Sequence, residues 1–193
     1  MKLAIFGGTF DPIHDAHLAV ARAAAGRFEL DGVLFVPAVR PPHKAGGAHA
    51  AYDHRVRMAE LACAADARFA VSRLEEGTTR SYSIDTIEKL RPQLQDGDEL
   101  FFLMGADAFA ELRTWHRWRD VARAVRFLVV SRPGHVYDVP EGVRLERLDT
   151  LELAVSSSEI RRALAAGERP AGLPAGVFEY ISRRGLYGVR VPA

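Results

Sequence analysis

Short apolar runs alternate with helical patterns along the whole chain. Each run is bounded by turn residues and shows little polar alternation, which is typical of strands buried on both faces of a parallel sheet. The runs cover residues 3–6, 33–36, 69–71, 100–104 and 126–130. Residues 143–148 alternate apolar and charged side chains instead, and this pattern predicts a strand near an edge of the sheet.

Helical patterns fill the intervals between these predicted strands. The first three cover residues 16–25 with Gly26 as the stop, 52–65 with Asp53 as N-cap, and 84–94 with Ser83 as cap. Residues 107–123 predict one or two short helices, and the last two helices cover 156–166 and 175–184. Residues 37–51 are rich in proline and glycine and predict a long loop, of a length that is usually functional or mobile.

This alternation predicts an α/β fold, a Rossmann-like doubly wound parallel sheet with helices on both faces and right-handed crossovers. We expect residues 1–193 to form a single domain. In it, residues 1–167 form the sheet core and residues 168–193 a small helical C-terminal extension.

Composition narrows the class of protein. The 193 residues include 26 basic and 25 acidic side chains, so no overall field attracts nucleic acid or an acidic membrane surface. The single cysteine, Cys63, excludes an internal disulfide and a cysteine-based zinc site, and its apolar helical surroundings favour a core thiol over a nucleophile. Because there is neither a signal-peptide pattern nor an apolar run of about 20 residues, we expect a cytoplasmic protein.

A glycine turn, Gly7 to Pro12, joins the first predicted strand to the first helix. Backbone N–H groups at such a helix N-terminus favour a phosphate, and ligands of parallel sheets bind at the carboxyl ends of the strands. The turn lacks both the G-x-G-x-x-G and the Walker A pattern. His14 and His17 are three residues apart, so they share one helical face and can donate to phosphate oxygens. A zinc pair or surface histidines are the alternatives, and zinc lacks further ligands here.

Two further segments offer positive charge. Lys44, one of only three lysines beside 23 arginines, lies on the proline-rich loop after the second predicted strand. Ser156 and Glu159 have capping-box spacing. The hydroxyls of Ser156, Ser157 and Ser158, the free backbone N–H groups and Arg161 also form a second anion-binding helix start. The alternatives are a solvated lysine and a purely structural cap.

The end of the fourth apolar run carries Gly105 and Asp107. Asp107 can hold a ribose hydroxyl, help organise a metal, or serve as a helix N-cap. Trp115 and Trp118 are spaced to share a helical face, where tryptophans usually belong to the core, although one can stack on a flat ring.

Together these segments resemble the nucleotidyltransferase superfamily with H-x-G-H and S-S-T-x-I-R signatures, and within it the bacterial nicotinate-nucleotide adenylyltransferases. The resemblance spans nearly the whole chain, and residues 81–86 with Trp115 point to the nicotinate branch. The chain departs from the pattern by Ala16 in place of glycine, and by Ser158 and Ser83 in place of threonines.

The resemblance implies adenylyl transfer from ATP to nicotinate mononucleotide, giving deamido-NAD and pyrophosphate without a covalent intermediate. It assigns His14, His17, Lys44 and Arg161 to the reacting phosphates. It assigns the ATP contacts to Gly8, Thr9, Phe10, Gly105, Asp107, Ser156, Ser157 and Ser158. It assigns the mononucleotide contacts to Ser83, Trp115, His116 and Arg132. Mg²⁺ is expected to arrive on the ATP phosphates, with no protein metal site.

The sequence also allows other functions. The acceptor can be nicotinamide mononucleotide or phosphopantetheine, and a cytidylyltransferase is the next alternative. A catalytically silent nucleotide-binding regulator is a different class, as is an RNA-binding module. The arginines from Arg113 to Arg126 are spread around a helix axis, which favours a solvated surface or a contact within a homo-oligomer over a nucleic-acid face.

Overall fold

The computed structural model describes residues 1–40, 48–131, 136–149 and 155–190. This part of the chain contains one sheet of six parallel strands in the order β3-β2-β1-β4-β5-β6. The strands are β1 (Lys2–Gly8), β2 (Gly32–Pro37), β3 (Phe69–Val71), β4 (Glu99–Gly105), β5 (Arg126–Ser131) and β6 (Leu145–Asp149). Every predicted strand is therefore confirmed, and β6 lies at an edge as its alternating pattern predicts.

The helices follow the predicted intervals. They are α1 (Asp15–Arg27), α2 (Tyr52–Cys63), α3 (Ser83–Leu90), α4 (Ala106–Ala110), α5 (Trp118–Ala124), α6 (Ser157–Ala165) and α7 (Ala175–Arg184). Short 3-10 turns cover Arg91–Gln93, Leu112–Thr114 and Leu186–Gly188. Among the described residues, no helix combines the length and the apolar character needed to cross a bilayer.

The two faces of the sheet carry separate hydrophobic cores. Alternate residues of β1 point to opposite faces, so Ala4 and Phe6 pack in one core and Ile5 in the other. The first core includes side chains of α1, α2, α6 and α7, and the second includes side chains of α3, α4 and α5. Helices thus cover both faces, and the predicted doubly wound α/β class is confirmed. Cys63 is buried in the first core, where burial raises the pKa of its thiol to about 12.

The strand order reverses at the pair β1 and β4. From β1 the chain proceeds outward through β2 and β3 on one side, and through β4, β5 and β6 on the other. The crossover connections that leave these two strands diverge, and a crevice opens between them at the carboxyl end of the sheet. Gly8 at the end of β1 and Gly105 at the end of β4 border this crevice.

Several predicted helix ends are wrong. α2 ends at Cys63 rather than residue 65, and α3 ends at Leu90 rather than near residue 94. α1 continues through Gly26 to Arg27, because Phe28 and the buried Leu30 close the helix by donating to Ala24 and Ala25 carbonyls. Ala51 is the N-cap of α2, so Asp53 lies inside the first turn, where its charge still stabilises the helix N-terminus. Ser83 is the first residue of α3 and Tyr82 precedes it as N-cap.

The C-terminal extension packs onto the sheet core. Val177 and Ile181 of α7 are buried in the same core as Met58 of α2. The Asp15 N–H at the start of α1 donates to the Gly172 carbonyl at 2.8 Å. The division of the chain at residue 167 stays a prediction.

Candidate active site

Two helix N-termini meet at the crevice between β1 and β4. The segment 8–14, called here the phosphate-binding turn, connects β1 to α1 and lies against the start of α6. Arg161 Nη1 donates to the Asp11 carbonyl at 2.7 Å, and Ser157 Oγ donates to the Pro12 carbonyl at 3.0 Å. The two anion-binding segments predicted separately from the sequence are therefore one hydrogen-bonded unit.

The two site histidines form a stacked pair at the start of α1. The backbone N–H of His14 donates to Nδ1 of His17 at 3.2 Å, and the two ring centroids are 3.8 Å apart. A neutral imidazole whose Nδ1 accepts carries its proton on Nε2. This bond therefore leaves His17 Nε2–H as a fixed donor.

Burial keeps both imidazoles neutral. It lowers the pKa of His14 to about 4. The pKa of His17 falls to about 3, first through burial and then through repulsion from His14. Nδ1 of His14 is buried and has no hydrogen-bond partner among the described residues, so a charged ring would be costly there. At neutral pH the pair offers N–H dipoles rather than positive charge.

These depressed pKa values predict a pH-dependent stability. Below pH 6.5 the two histidines bind protons in the unfolded state but remain neutral in the folded state. The free energy of unfolding therefore falls as the pH drops toward 4. We expect urea denaturation between pH 7 and pH 4.5 to show a shallower pH slope in His17→Gln than in the wild type, by up to one proton. Parallel curves would show that the folded protein does not hold His17 neutral.

Phe10 explains why the turn needs glycine at position 8. Its backbone is left-handed, with φ 48°, and its buried ring lies where a side chain at Gly8 would be, 2.8 Å from the position of an added Cβ. The same ring contacts His17 edge-on at a centroid distance of 5.1 Å. The side chain of Phe10 is thus part of the core that supports His17.

A buried arginine and a buried carboxylate, which sequence reasoning missed, support the turn on its core side. Arg55 of α2 is 1% exposed and donates from Nη1 to the carbonyls of Thr9 and Ala38, both at 2.7 Å, and from Nε to Ala50 at 3.1 Å. Asp11, also 1% exposed, interacts electrostatically with this guanidinium. The available signal was the position of Arg55 on the apolar stripe of its helix with Met58 and Ala59, where an unpaired charge is not tolerated.

The serines at the start of α6 have different surroundings. Ser156 is the N-cap, and it accepts from the Glu159 N–H while Glu159 accepts from the Ser156 N–H. The predicted capping box is therefore confirmed. Ser157 is engaged with the phosphate-binding turn, whereas Ser158 is exposed and accepts from Arg161 Nη2 at 3.4 Å.

On the other side of the crevice, three of the four residues predicted for the mononucleotide, Ser83, Trp115 and His116, lie in the described part of the chain. The ring of Tyr82, next to Ser83, stacks on the exposed His116 at a centroid distance of 4.4 Å. Trp115 is half-buried and packs edge-on against Phe102 of β4 at 5.6 Å. Arg117, with a left-handed φ of 51°, is the N-cap of α5.

Two sequence-based interpretations are wrong here. Trp115 and Trp118 do not share a helix, because Trp115 has extended backbone and α5 begins at Trp118. Asp107 is not an N-cap, since Gly105 takes that position and Asp107 lies exposed in the first turn of α4. The ribose-side role of Gly105 and Asp107 stays a prediction.

A second buried carboxylate, also missed from the sequence, links the two sides of the site. Glu75 is 8% exposed. Its Oε2 accepts from the Val39 N–H at 3.2 Å, and its Oε1 accepts from Thr86 Oγ1 of α3 at 3.1 Å. Arg40 and Ser81 add two bonds between the same segments. The segment after β2 is therefore tied to the helix that carries Ser83.

Lys44 and Arg132 lie outside the described residues. The other two lysines have structural contacts: Lys89 donates to the Leu74 carbonyl at 2.8 Å, and Lys2 lies 3.7 Å from Glu29. The contribution of Lys44 to the site stays a prediction.

Four of the five arginines from Arg113 to Arg126 lie next to acidic side chains, and Arg119 lies over the ring of Trp118. Ion pairs join Arg113 to Asp138, Arg117 to Glu88 and Asp120, Arg123 to Asp120, and Arg126 to Glu99 and Glu146. Such a mixed surface lacks the continuous basic face that nucleic acid requires. A contact between copies of the chain stays a prediction.

A parallel sheet with helix N-termini and polar side chains gathered at its switch point defines an α/β nucleotide-binding protein. Residues 5–163 match the cytidylyltransferase-like family model. A protein of Solibacter usitatus named "Probable nicotinate-nucleotide adenylyltransferase" is 70% identical over 187 residues, covering 97% of this chain and all of that protein. A protein of the same name from Tropheryma whipplei is 44% identical over 94% of this chain and 97% of its own length.

The solved structure of Plasmodium falciparum nicotinic acid mononucleotide adenylyltransferase complexed with NaAD has the same fold. Its TM-score is 0.78, with 17% identity and coverage of 99% of both chains. The present chain thus belongs to the cytidylyltransferase-like family, and within it to the nicotinate-nucleotide adenylyltransferases.

Proposed function

We propose that this protein transfers the adenylyl group of ATP to nicotinate mononucleotide, giving deamido-NAD and pyrophosphate. The observation that carries the proposal is the hydrogen-bonded unit formed by the phosphate-binding turn, the histidine pair and the start of α6. It gathers uncharged N–H donors and Arg161 in one crevice, which suits a triphosphate. The names of the relatives support nicotinate mononucleotide as the acceptor.

The chemistry proceeds by direct displacement in this proposal. An oxygen of the mononucleotide phosphate attacks the α-phosphorus of ATP, the bond to the oxygen bridging the β-phosphate breaks, and pyrophosphate leaves. No side chain forms a covalent bond, so the protein contributes positioning and charge stabilisation. His17 Nε2–H donates to an α-phosphate oxygen, while His14, Lys44 and Arg161 bind the phosphates that depart.

Backbone N–H groups at helix N-termini and the residues at the end of β4 provide the remaining ATP contacts in this proposal. The N–H groups of Gly8, Thr9 and Phe10 and those of Ser157 and Ser158 face the phosphates at two positive helix ends. Gly105 and Asp107 border the ribose and adenine. A side chain at Gly105 would meet nothing within 4 Å, which leaves room for a nucleoside at this edge.

Magnesium enters this proposal as part of the substrate, MgATP. Asp11, the acidic side chain of the turn, already accepts three hydrogen bonds in the core and faces away from solvent. No group of three potential ligand side chains occurs in the part of the chain that the structure describes. Phosphate oxygens and water are therefore the ligands we expect for the ion.

The acceptor half of the site rests on Trp115. We propose that its indole stacks on the nicotinate ring, while Ser83, the backbone at His116 and Arg132 meet the carboxylate and the phosphate of the mononucleotide. An exposed ion pair between Arg117 and Glu88 of α3, at 2.9 Å, joins the segment of His116 to the helix that carries Ser83.

Removal of the Trp115 indole tests the proposed mononucleotide side of the site. Because aromatic stacking on a base contributes about 1–3 kcal/mol, we expect Trp115→Ala to raise the KM for nicotinate mononucleotide about tenfold or more and to leave the KM for ATP nearly unchanged. Trp118→Ala is the matched control, since Trp118 is also half-buried but begins α5. A loss of ATP affinity with an unaffected mononucleotide KM would contradict the assignment.

Pyrophosphate release tests the activity itself. ATP is held fixed, and nicotinate mononucleotide, nicotinamide mononucleotide and phosphopantetheine are offered in turn. We expect the fastest release with nicotinate mononucleotide. A preference for another acceptor would overturn the substrate assignment, and no release with any of them would favour a binding protein without catalysis.

A further inference from the structure

The C-terminal 3-10 turn reaches the phosphate-binding turn through one side chain. The Tyr187 hydroxyl donates to Asp11 Oδ1 at 2.8 Å, across 176 residues of sequence. The backbone of Tyr187 is left-handed, with φ 56°, between Gly185 and Gly188, which also have positive φ. A non-glycine residue in this region is uncommon and must be held there by its contacts.

The Asp11 carboxylate accepts from three donors that belong to two separate parts of the chain. Besides the Tyr187 hydroxyl, its carboxylate accepts from the His49 N–H at 2.7 Å and from the Ala50 N–H at 3.1 Å. Burial, followed by the nearby Asp11 charge, raises the pKa of Tyr187, so the hydroxyl remains a donor at any working pH. The carboxylate is therefore fixed on two sides, by the loop before α2 and by the C-terminal segment.

The backbone of Asp11 is directly connected to the proposed phosphate contacts. Its carbonyl accepts from Arg161, the next carbonyl accepts from Ser157, and His14 follows three residues later. The bonds that fix the Asp11 side chain therefore also help to fix the backbone that holds Arg161 and the histidine pair. Displacements of about 1 Å in such positioning groups can cost a hundredfold in rate.

We propose that Tyr187 is a positioning residue for adenylyl transfer, which holds the phosphate-binding turn in its reactive geometry through Asp11. The proposal rests on the proposed function. It makes the C-terminal segment a part of the active site, although Tyr187 touches no substrate. Neither the relatives' names nor the predicted roles of the motif residues assign this contribution.

The test compares Tyr187→Phe with Tyr180→Phe in the full chain. Tyr180 is a matched control because its hydroxyl also bonds the C-terminal extension to α2, at 2.8 Å from His54 Nδ1, but makes no contact with the turn. We expect Tyr187→Phe to lower kcat about tenfold, with the KM for nicotinate mononucleotide unchanged. We expect Tyr180→Phe to keep kcat within about twofold, at a similar loss of Tm.

Amide hydrogen exchange supplies a readout that does not need turnover. In Tyr187→Phe, the amides of residues 8–18 should exchange faster while those of α7 stay protected. Wild-type kcat in Tyr187→Phe, or an equal loss in both variants, would overturn the proposal. If the wild-type protein released no pyrophosphate, the proposed function would fail, and unchanged exchange in the turn would then separately refute the positioning role of Tyr187.

Discussion

His17→Ala should lower kcat about 10²- to 10³-fold while the KM for ATP changes only a few-fold. The Nε2–H of His17 is held in place by the bond between the His14 N–H and His17 Nδ1, so it needs no reorganisation when charge develops on the phosphates. An interaction that strengthens mainly in the transition state lowers kcat when it is removed. Steady-state kinetics with MgATP and nicotinate mononucleotide measures this split.

The control for His17→Ala is a substitution that keeps an N–H donor near the position of His17 Nε2. In His17→Gln an amide N–H can approach the position of Nε2, so we expect partial recovery of kcat. Because the depressed pKa of His17 leaves the ring neutral, replacement by a neutral amide changes no charge at pH 7. A rise in KM with an unchanged kcat would show that His17 binds the ground state only.

Local patterns in the sequence predicted most of the fold and part of the site. Apolar runs without alternation identify buried parallel strands, and S-x-x-E spacing identified the cap at Ser156. The separation of His14 and His17 placed two rings on one helical face, where they are in contact. Each of these features is decided within a few residues of chain, so the sequence alone suffices.

The features that were missed depend on contacts between distant segments. Asp11 and Tyr187 are 176 residues apart, and Glu75 joins segments that local periodicity treats as separate. The end of α1 is another example, because the buried Leu30 closes the helix beyond the expected glycine stop. Tertiary burial overrides local preference at such positions.

Arg55→Met should reduce the free energy of unfolding by about 3–5 kcal/mol, since each buried polar group that loses its hydrogen bond costs about 1–3 kcal/mol. The substitution leaves the carbonyls of Thr9 and Ala38 without their donor and leaves Asp11 without its nearby positive charge. Because all three groups belong to segments whose backbone forms the crevice, kcat should fall as well. Urea denaturation monitored by circular dichroism measures the stability.

The neighbouring Arg57 separates burial from the loss of an arginine. Arg57 lies on the same helix and pairs with Glu60 at 3.0 Å on an exposed face, so Arg57→Met should cost no more than about 1 kcal/mol. Asp11→Asn adds a second arm, since it removes the charge that Arg55 compensates. In the Arg55→Met background it should cost clearly less than in the wild type, and strictly additive effects would show that Arg55 acts through its hydrogen bonds alone.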